Sequence, residues 1–523
     1  MLLLTAAESR AVDQATVAAG TPHEQLMERA GRALADALER RWGSPLAMRV
    51  LVLAGPGDNG GDGYVAARVL AELGATVTVA VCASKPRIEG SARAMLERLD
   101  TRRMNVAFPA DAAALGKLAA SLDHWDFVVD ALLGTGAQGA PRGLIADACA
   151  VANAARARGS RVLAVDLPTG VSSDDGSETL GAVHADACVT FGHPRRGHWL
   201  WPGRGLRGSL EVADIGLVEP QLASLAPAEL ATAPALAALV PRRDPRAHKG
   251  ATGHVLLVGG APGMTGAMVL SARAAGRAGA GYVRVAAPAS LQDLLASQLV
   301  DAMVMGCGED DQRALTTTAL PAILAEAARA QAVAVGIGLS TRPHAGWLAR
   351  ELATHLNRPL VLDADALTAL SPAGDRLVPA LKQAPAARVL TPHLGEMARL
   401  TGVSATELEV RRIDAARGWA QRWGATLVLK GAPTVVASPD GRVSVNPTGT
   451  PALATAGTGD VLTGLLTALL AQGLAPYDAA RVAAYVHGLA GELAEAAHGA
   501  LGVVASDVVE QLPRALTVLR SST

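Results

Sequence analysis

Asparagine and aspartate side chains stand inside a glycine-rich motif near the start of this 523-residue sequence. The apolar run 49–55 leads into GPGDNGGDG (55–63), which contains Asn59 and Asp62. Glycine lets the backbone approach a ligand closely, and the N-terminus of a following helix, expected near Tyr64, attracts anions. The motif therefore predicts a phosphate-binding turn with two polar side chains. A plain glycine-rich turn is the alternative.

Two more aspartates of the first half end apolar runs that are typical of buried strands. Asp130 precedes the glycine-rich segment GTGAQGAPRG, and Asp166 begins DLPTG. Ligands of doubly wound sheets bind at the carboxyl ends of the strands. We therefore expect Asn59, Asp130, Asp166 and Thr169 to converge on one crevice. Helix capping by each aspartate is the simpler alternative.

The second half carries a GTGD motif, 457–460, directly before a strongly apolar helical segment. The glycine N–H groups and the helix dipole would bind an anion, and Asp460 would lie beside it. A carboxylate in that position can deprotonate a hydroxyl that attacks a phosphoryl group. An ordinary first-turn helix acid is the alternative. Lys430, in a KG turn after a strand, could reach the same phosphate or could simply be solvated.

These motifs need parallel strands to position them, and the hydrophobic pattern predicts such strands in both halves. Short Val/Leu runs alternate with Ala-rich amphipathic stretches, as in a parallel sheet with helices on both faces. Segment 434–446 is typical of a hairpin with Asp440–Gly441 at its turn. The other predicted strands are 49–55, 76–81, 127–132, 161–168, 188–192, 209–216, 253–260, 282–288, 332–338, 359–365, 388–392 and 425–431. The predicted helices are 8–20, 22–41, 63–73, 90–99, 143–158, 459–472 and 477–497.

A proline-rich break separates the two halves. Residues 217–247 contain five prolines and no clear strand. We therefore predict two α/β domains, 1–217 and 245–523. The segment between them, 218–244, is expected to be a linker or a short helical connector that packs on one domain.

Composition excludes some classes of protein. The chain has 47 basic and 48 acidic residues and a net charge of −1, which argues against a protein that coats nucleic acid. The most apolar stretch, 461–472, is shorter than the roughly 20 residues that span a bilayer. The four cysteines form no CxxC pair and no zinc-spaced cluster. We therefore expect reduced thiols and a cytoplasmic protein.

The first half resembles the NAD(P)H-hydrate epimerase domain over about 1–216, in LTAAESRAVDQ…LMERAG, GPGDNGGDG, VVDALLGTGAQG and AVDLPTGV. The resemblance implies a Rossmann-like three-layer domain with Asp166 as acid/base. Asp58 stands where relatives usually have asparagine, which changes the charge of the first loop. The K⁺ ligands that the resemblance implies are Asn59, Asp130 and Thr169, oxygen donors that suit a hard cation. The implied contacts to the hydrated dinucleotide are Asn59, Gly60, Gly61, Asp62, Gly63, Gly134, Thr135, Gly136, Ala137, Gln138, Gly139, Ala140 and Asp166.

The second half resembles the ADP/ATP-dependent NAD(P)H-hydrate dehydratases of the ribokinase-like superfamily over about 245–515. The segments that carry this likeness are HKGATGHVLLVGG, GMTGAMVLSARAA, DADAL, TPHLGEMARL, LKGAPTVV and GTGD. Asp363 and Asp365 are candidate Mg²⁺ ligands, because they end a predicted strand. The implied substrate contacts are Ala267, Gly338, His393 and Asp460, with Asp460 also the base. The implied adenine-nucleotide contacts are Lys430, Gly431, Ala432, Pro433, Thr434 and Gly459.

This second half also departs from the pattern of its relatives. GIGLS (336–340) replaces the frequent GPGLG, and Leu394, Thr450 and Ala456 replace the usual Pro, Asn and Gly. These differences remove no implied catalytic group, so they concern the fine geometry of the site.

Together the resemblances imply repair of NADH or NADPH whose nicotinamide ring has been hydrated, here NAD(P)HX. The first domain would interconvert the R and S epimers. The second would use ADP to phosphorylate the S epimer and eliminate phosphate, giving NAD(P)H, AMP and phosphate. The implied partners are NAD(P)HX, ADP, K⁺ and Mg²⁺, in a homo-oligomer that binds neither nucleic acid nor membrane. A vitamin or sugar kinase fused to a non-catalytic nucleotide-binding domain is the alternative, as is a first domain that only binds.

Overall fold

The computed structural model describes residues 1–218, 227–371 and 377–522. The chain divides into two compact units, Leu2–Pro227 and Ala228–Thr523, and Met1 belongs with the second. The predicted connector, 218–244, spans this division. Its residues 228–237 form a short strand and a short helix of the second unit, whereas 219–226 lie outside the described residues.

The first unit is built on a seven-stranded, entirely parallel sheet with the order β4-β3-β2-β5-β6-β7-β8. Its strands are almost continuous apolar runs because helices cover both faces of the sheet. The short strand β4 lies outside every predicted strand. The strands of this sheet are β2 Arg49–Ala54, β3 Thr76–Val81, β4 Asn105–Ala107, β5 Phe127–Ala131, β6 Arg161–Val165, β7 Ala187–Phe191 and β8 Ser209–Ala213, and the two-residue strand β1, Leu2–Leu3, is not part of it.

Two apolar cores lie on opposite faces of this sheet. Helices α2, α3 and α4 pack on one face, and α5 and α6 pack on the other. The helices of the unit are α1 Ala6–Ala18, α2 His23–Trp42, α3 Asp58–Glu72, α4 Gly90–Glu97, α5 Ala112–Ala119, α6 Leu144–Ala157 and α7 Gly203–Leu206.

Helix α3 begins at Asp58, five residues before the predicted start of this helix at residue 63. Most of the glycine motif is therefore the first turns of a helix, not a loop. Close packing explains its glycines, because a Cβ at Gly60 would lie 2.1 Å from the carbonyl oxygen of Gly55. A Cβ at Gly61 would lie 2.4 Å from Met27 Sδ, and one at Gly63 would lie 2.5 Å from the Cβ of Ala131. The glycines let this helix start pressed against the sheet and against α2.

The described residues of the second unit hold ten strands of a mainly parallel sheet with the order β9-β18-β17-β16-β15-β14-β13-β10-β11-β12. The predicted hairpin is confirmed: β17 pairs antiparallel with both β16 and β18, and Gly441 adopts a φ of +96° in the turn. The strands are β9 Ala228–Leu230, β10 His254–Val258, β11 Tyr282–Pro288, β12 Met303–Cys307, β13 Ala332–Val335, β14 Leu360–Leu362, β15 Arg388–Leu390, β16 Thr426–Leu429, β17 Val435–Ala437 and β18 Val443–Val445.

Helix α18 is the central helix of the second unit, and its residues 461–471 are all buried. A Cβ at Gly464 would lie 2.1 Å from the carbonyl oxygen of Ser271, so glycine is required for the close approach of α9. The helices are α8 Ala233–Ala237, α9 Thr265–Arg277, α10 Gln292–Gln298, α11 Leu320–Ala327, α12 Pro343–His355, α13 Asp365–Ala369, α14 Leu377–Lys382, α15 Leu394–Thr401, α16 Ala405–Val410, α17 Arg412–Trp423, α18 Thr458–Ala471, α19 Pro476–His498 and α20 Ala505–Arg520.

The α/β class predicted for both halves is confirmed by these two sheets. Cys82, Cys149, Cys188 and Cys307 are all buried and form no disulfide. Among the described residues, no helix is long and apolar enough to cross a membrane.

Candidate active sites

A cavity of about 470 Å³ opens in the first unit at the carboxyl ends of β2, β5 and β6. Its walls come from α1, α2, the start of α3 and the loop that follows β5. Parallel strands bring these three strand ends to one edge of the sheet, as the sequence predicted. The predicted site residues that line the cavity are Asn59, Asp62, Gly134, Thr135, Gly136, Ala137 and Asp166.

The remaining predicted residues of the first unit lie around this cavity and do not line it. Gly60, Gly61 and Gly63 form the packed face of α3 described above. Gln138, Gly139 and Ala140 continue the loop after β5. Asp130 and Thr169 are buried at the ends of β5 and β6, with exposures of 0% and 1%.

Asp166 is held by a dense set of donors. The backbone N–H of Thr135 donates to Asp166 Oδ2 at 3.0 Å, and the hydroxyl of Thr135 donates to the same oxygen. On Oδ1, Thr190 donates at 2.9 Å and Arg195 Nη2 lies 3.2 Å away. The backbone of Asp166 has a φ of +61°, a conformation that L-residues rarely adopt and that is common at functional sites. The carboxylate is therefore fixed in position and in direction.

Two carboxyl groups of this cavity have opposite protonation tendencies. Burial raises the pKa of Asp166, but the charge of Arg195 and the hydrogen bonds from Thr135 outweigh it, so that pKa lies below its ordinary value. Burial and the neighbouring charges of Asp58, Asp166 and Asp13 all raise the pKa of Asp62, which lies well above its ordinary value. One carboxyl therefore favours the ionised form and the other the protonated form, the arrangement of an acid/base pair.

Asp130 and Thr169 form a buried oxygen cluster behind the cavity. Thr169 donates to Asp130 through its N–H at 2.8 Å and through its hydroxyl at 2.7 Å. Burial nevertheless raises the pKa of Asp130 to about 6, against those hydrogen bonds. Asn59 is also buried, and its side-chain nitrogen has no hydrogen-bond partner. The carboxylate of Asp130, the hydroxyl of Thr169 and the amide oxygen of Asn59 are oxygen ligands of the kind that a monovalent cation takes, and the cation would supply the charge that the buried Asp130 carboxylate needs.

Sequence reasoning missed the residues of β7 and of the segment after it that contact Asp166. Arg195 and Thr190 come from β7 and the segment after it, and the buried imidazole of His198 lies 2.7 Å from the carbonyl oxygen of Asp166. Burial lowers the pKa of His198 to about 4, so this imidazole is neutral. The run HPRRGHW, directly after a predicted strand, was the available signal.

In the second unit, Asp460 lies in the first turn of α18 after Gly457, which has a φ of +92°. Burial and the carboxylates of Asp363 and Asp365, against the opposing charge of Lys430, together raise the pKa of Asp460 to about 7. A carboxylate with a pKa near neutrality suits a general base.

Lys430 is the central cation of this second site. Its Nζ lies 2.9 Å from Asp363 Oδ1 and 3.9 Å from Glu396 Oε2. Burial lowers the pKa of Lys430, but Asp363 and Glu396 outweigh it and raise it above its ordinary value. A Cβ on Gly459 would lie 3.4 Å from the same Nζ, so the lysine ammonium lies at the start of α18. This ammonium is charged and therefore suited to bind a phosphate.

A buried arginine fixes the turn that begins at Lys430. Arg412 Nη1 donates to the carbonyl oxygens of Lys430 and Pro433, both at 3.2 Å. Gly431 has a φ of +147°, and a Cβ there would lie 2.7 Å from the guanidinium of Arg412. Thr434 closes the turn by donating to the carbonyl oxygen of Gly431 at 3.2 Å. Sequence reasoning missed this arginine.

Of the other predicted residues of the second unit, His393, Gly338 and Ala432 lie just after strands, whereas Ala267 lies on α9. His393 is the N-cap residue of α15, and its Nδ1 accepts from the N–H of Gly395 at 3.0 Å, which is the structural role that a lone histidine often has. Gly338 has a φ of +54°, and a Cβ there would lie 2.7 Å from the carbonyl oxygen of Met264, three residues before Ala267 on α9. Ala432 lies inside the turn held by Arg412.

Asp363 and Asp365 have different surroundings. Asp363 accepts from Lys430 and, at 2.7 Å, from the hydroxyl of Thr463. Asp365 Oδ2 accepts from the N–H of Ser340 at 2.8 Å. No group of three or more His, Cys, Asp or Glu side chains that could hold a metal occurs among the described residues.

The fold and the two sites define a two-site α/β enzyme with a carboxylate centre at the strand ends of each unit. A family model described as NAD(P)H-hydrate dehydratase matches residues 255–514, and one described as YjeF-related protein N-terminus matches residues 23–197. The chain belongs to the family of bifunctional NAD(P)H-hydrate repair enzymes, which confirms the resemblance predicted from its motifs.

Two curated relatives match nearly the whole chain, and both are called bifunctional NAD(P)H-hydrate repair enzyme Nnr. The one from Moorella thermoacetica is 41% identical over 519 residues, which is 99% of this chain and 97% of the relative. The one from Salinibacter ruber is 39% identical over 98% of this chain and 95% of the relative. A crystal structure of an ADP/ATP-dependent NAD(P)H-hydrate dehydratase from Bacillus subtilis, with ATP and Mg²⁺, is 32% identical. It covers 56% of this chain and 99% of that one, with a TM-score of 0.48.

Proposed function

We propose that residues 1–217 interconvert the R and S epimers of NAD(P)HX and that residues 245–523 dehydrate the S epimer with ADP. The products are NAD(P)H, AMP and phosphate. The observation that carries the proposal is the pairing, in one chain of this family, of the Asp166 site with the Asp460–Lys430 site. Family membership argues against the alternative of a vitamin or sugar kinase fused to a non-catalytic domain.

In the dehydration, Asp460 takes the proton of the substrate hydroxyl while the oxygen of that hydroxyl attacks the β-phosphorus of ADP. The bond to the AMP oxygen breaks, and Lys430 and the start of α18 stabilise the charge that develops on the phosphoryl group. Phosphate then leaves with the former hydroxyl oxygen, and loss of a proton from the adjacent ring carbon restores the double bond. Phosphorylation turns a poor leaving group into a good one.

Mg²⁺ enters this second site with the nucleotide. Magnesium is usually held by one or two carboxylates together with substrate phosphates, so a preformed protein cage is not needed. Asp363 is already engaged by Lys430 and Thr463, which leaves Asp365 as the candidate magnesium ligand of the pair. Ala267, Gly338 and His393 are proposed to contact the nicotinamide nucleotide, and Lys430–Thr434 and Gly459 the adenine nucleotide.

In the first unit, Asp166 is proposed as acid/base together with Asp62, whose raised pKa favours its protonated form. Asn59–Gly63 and Gly134–Ala140 are proposed to bind the dinucleotide. The homo-oligomer and the cytoplasmic location stay predictions.

Incubating the protein with hydrated NADH and ADP is expected to restore the absorbance of the reduced nicotinamide. Both epimers should be consumed, because the first unit converts R to S while the second dehydrates S. The measurement is absorbance against time, with chromatographic separation of the epimers and with ATP in place of ADP as a comparison. Absence of absorbance recovery with either nucleotide would contradict the proposal.

K⁺ is proposed to bind Asn59, Asp130 and Thr169, where it supplies positive charge beside the substrate. Replacing K⁺ by Li⁺ is expected to slow consumption of the R epimer and to leave dehydration of the S epimer unchanged, because the donors lie only in the first unit. Rates measured on the separated epimers in matched buffers give this comparison. An equal loss for both epimers would contradict the assignment.

A further inference from the structure

A second cavity, of about 700 Å³, opens in the first unit at the carboxyl ends of β3 and β4. It lies where the chain leaves β3 at Cys82 and β4 at Phe108, and the start of α6 closes one side. None of the predicted site residues lines it. The site already described therefore leaves this cavity without a function.

The charge of this cavity is strongly positive. Lys85, Arg87 and Arg142 line it, together with the ring of Phe108. Lys85 Nζ lies 4.8 Å from the centre of that ring. In the described part of the chain, none of the three cations forms a salt bridge, so their charge is available to a ligand. The cavity thus combines an aromatic ring with cations that have no carboxylate partner, a combination that suits a phosphorylated nucleoside.

Lys85 and Arg87 lie at the position of the fold that contacts the adenosine ribose in dinucleotide-binding proteins. In doubly wound dinucleotide sites, the residue after the second strand, about 20 positions beyond the glycine motif, meets the adenosine ribose. An acid there binds the 2′-hydroxyl of NAD, whereas a cation accommodates the 2′-phosphate of NADP. In this chain that segment is CASKPR (82–87), which has two cations and no carboxylate.

The two cavities are close enough for one dinucleotide to reach both. β2 separates β5, whose end borders the first cavity, from β3, whose end borders the second. The N–H of Gly55 donates to Ala131 on one side, and the N–H of Cys82 donates to Ala54 on the other. With strands about 4.8 Å apart, the two cavities start about 10 Å from each other. The start of α3 follows β2, the strand between the two cavities, and lines the first of them, where its N–H groups would meet the pyrophosphate.

We propose that this second cavity binds the adenosine 2′-phosphate end of the substrate and makes the epimerase favour NADPHX over NADHX. Lys85 and Arg142 pair with the 2′-phosphate, and Phe108 packs against the base. The proposal rests on the epimerase function assigned above, because it concerns the other end of the same substrate.

The test is the double variant Lys85→Ala, Arg142→Ala in the full-length chain. Its kcat/KM for R-NADPHX is expected to fall about 10- to 100-fold, as for loss of hydrogen bonds to a charged group. Its kcat/KM for R-NADHX should stay close to that of the wild type, which also shows that the unit is folded. Adenosine 2′,5′-bisphosphate should inhibit the wild-type epimerase more strongly than AMP, and the variant should not distinguish the two.

Lys117→Ala is the matched control, because it removes an exposed cation of α5 that lines neither cavity. It should leave both substrates unaffected. An equal loss for NADPHX and NADHX, or no loss for either, would overturn the proposal. Failure of the epimerase function itself would look different: the wild type would not consume the R epimer of either substrate.

Discussion

The Asp460→Asn variant is expected to dehydrate S-NAD(P)HX about 10²- to 10⁴-fold more slowly than the wild type, the usual contribution of a general base. Asparagine keeps the size of the side chain but cannot take the hydroxyl proton. The second expected result is a changed pH profile. Because burial raises the pKa of Asp460 to about 7, kcat/KM of the wild type should increase with pH up to that value and then level off. The slow residual activity of the variant should lack this dependence.

Asp478→Asn is the matched control for this experiment. Asp478 is also a first-turn helix acid, in α19, and forms an ion pair with Arg481 at 3.3 Å. If Asp460 is only an ordinary first-turn acid, both variants should behave alike, with small effects. R-epimer consumption in the presence of excess independent dehydratase would show that the first unit of the Asp460 variant remains active.

The Asp166→Asn variant is expected to lose about 10²- to 10⁴-fold of its epimerase rate, again the contribution of an acid/base group. The S epimer should still be dehydrated at the wild-type rate, because Asp460 and Lys430 belong to the other unit. Asparagine tolerates the positive φ of this position, so the backbone can keep its conformation. The measurement follows the R epimer by chromatography after the S epimer has been exhausted.

Asp214→Asn, a change at an exposed aspartate of the same unit, provides the control and should have no effect. Removing the negative charge of Asp166 leaves Arg195 buried without its carboxylate, which can lower the thermal stability of the unit. The Arg195→Lys variant should therefore be compared. It keeps both Asp166 and a cation near it but loses the guanidinium contacts of the arginine. If it loses thermal stability and keeps its epimerase rate, lowered stability alone does not explain the loss of rate in the Asp166 variant. Unchanged R-epimer consumption by the Asp166 variant would leave the first unit as a binding domain.

Most of the fold could be predicted from the sequence because parallel strands have a simple hydrophobic pattern. Strands buried on both faces are apolar throughout, and all six strands predicted in the first half exist. Two of the strands that were missed have weaker signals. β4 has three residues, and β9 lies within the proline-rich segment for which a linker was one of the two predictions. α3 begins before its predicted start because its glycines allow close packing inside a helix. Helix propensity alone would place these glycines in a turn.

The motifs also located the acidic side chains of both sites, but not their protonation. Asp166 and Asp460 both belong to glycine-containing motifs at strand or helix ends. Arg195 lowers the pKa of the first, whereas Asp363 and Asp365 raise the pKa of the second together with burial. These neighbours come from distant parts of the chain. A single sequence gives no distances between such parts, so the direction of either shift could not be predicted.

The packed glycines of α3 affect how relatives of this chain that have lost their activity can be told from active ones. Gly60, Gly61 and Gly63 are needed for the helix to fit against Gly55, Met27 and Ala131, whether or not a ligand is bound. A descendant that had lost its chemistry would still be selected to keep them, since any Cβ would disrupt its core. Loss of activity would be visible first at the side chains that contribute nothing to this packing. Asp166 and Arg195 are therefore better markers of a working domain than the glycine motif itself.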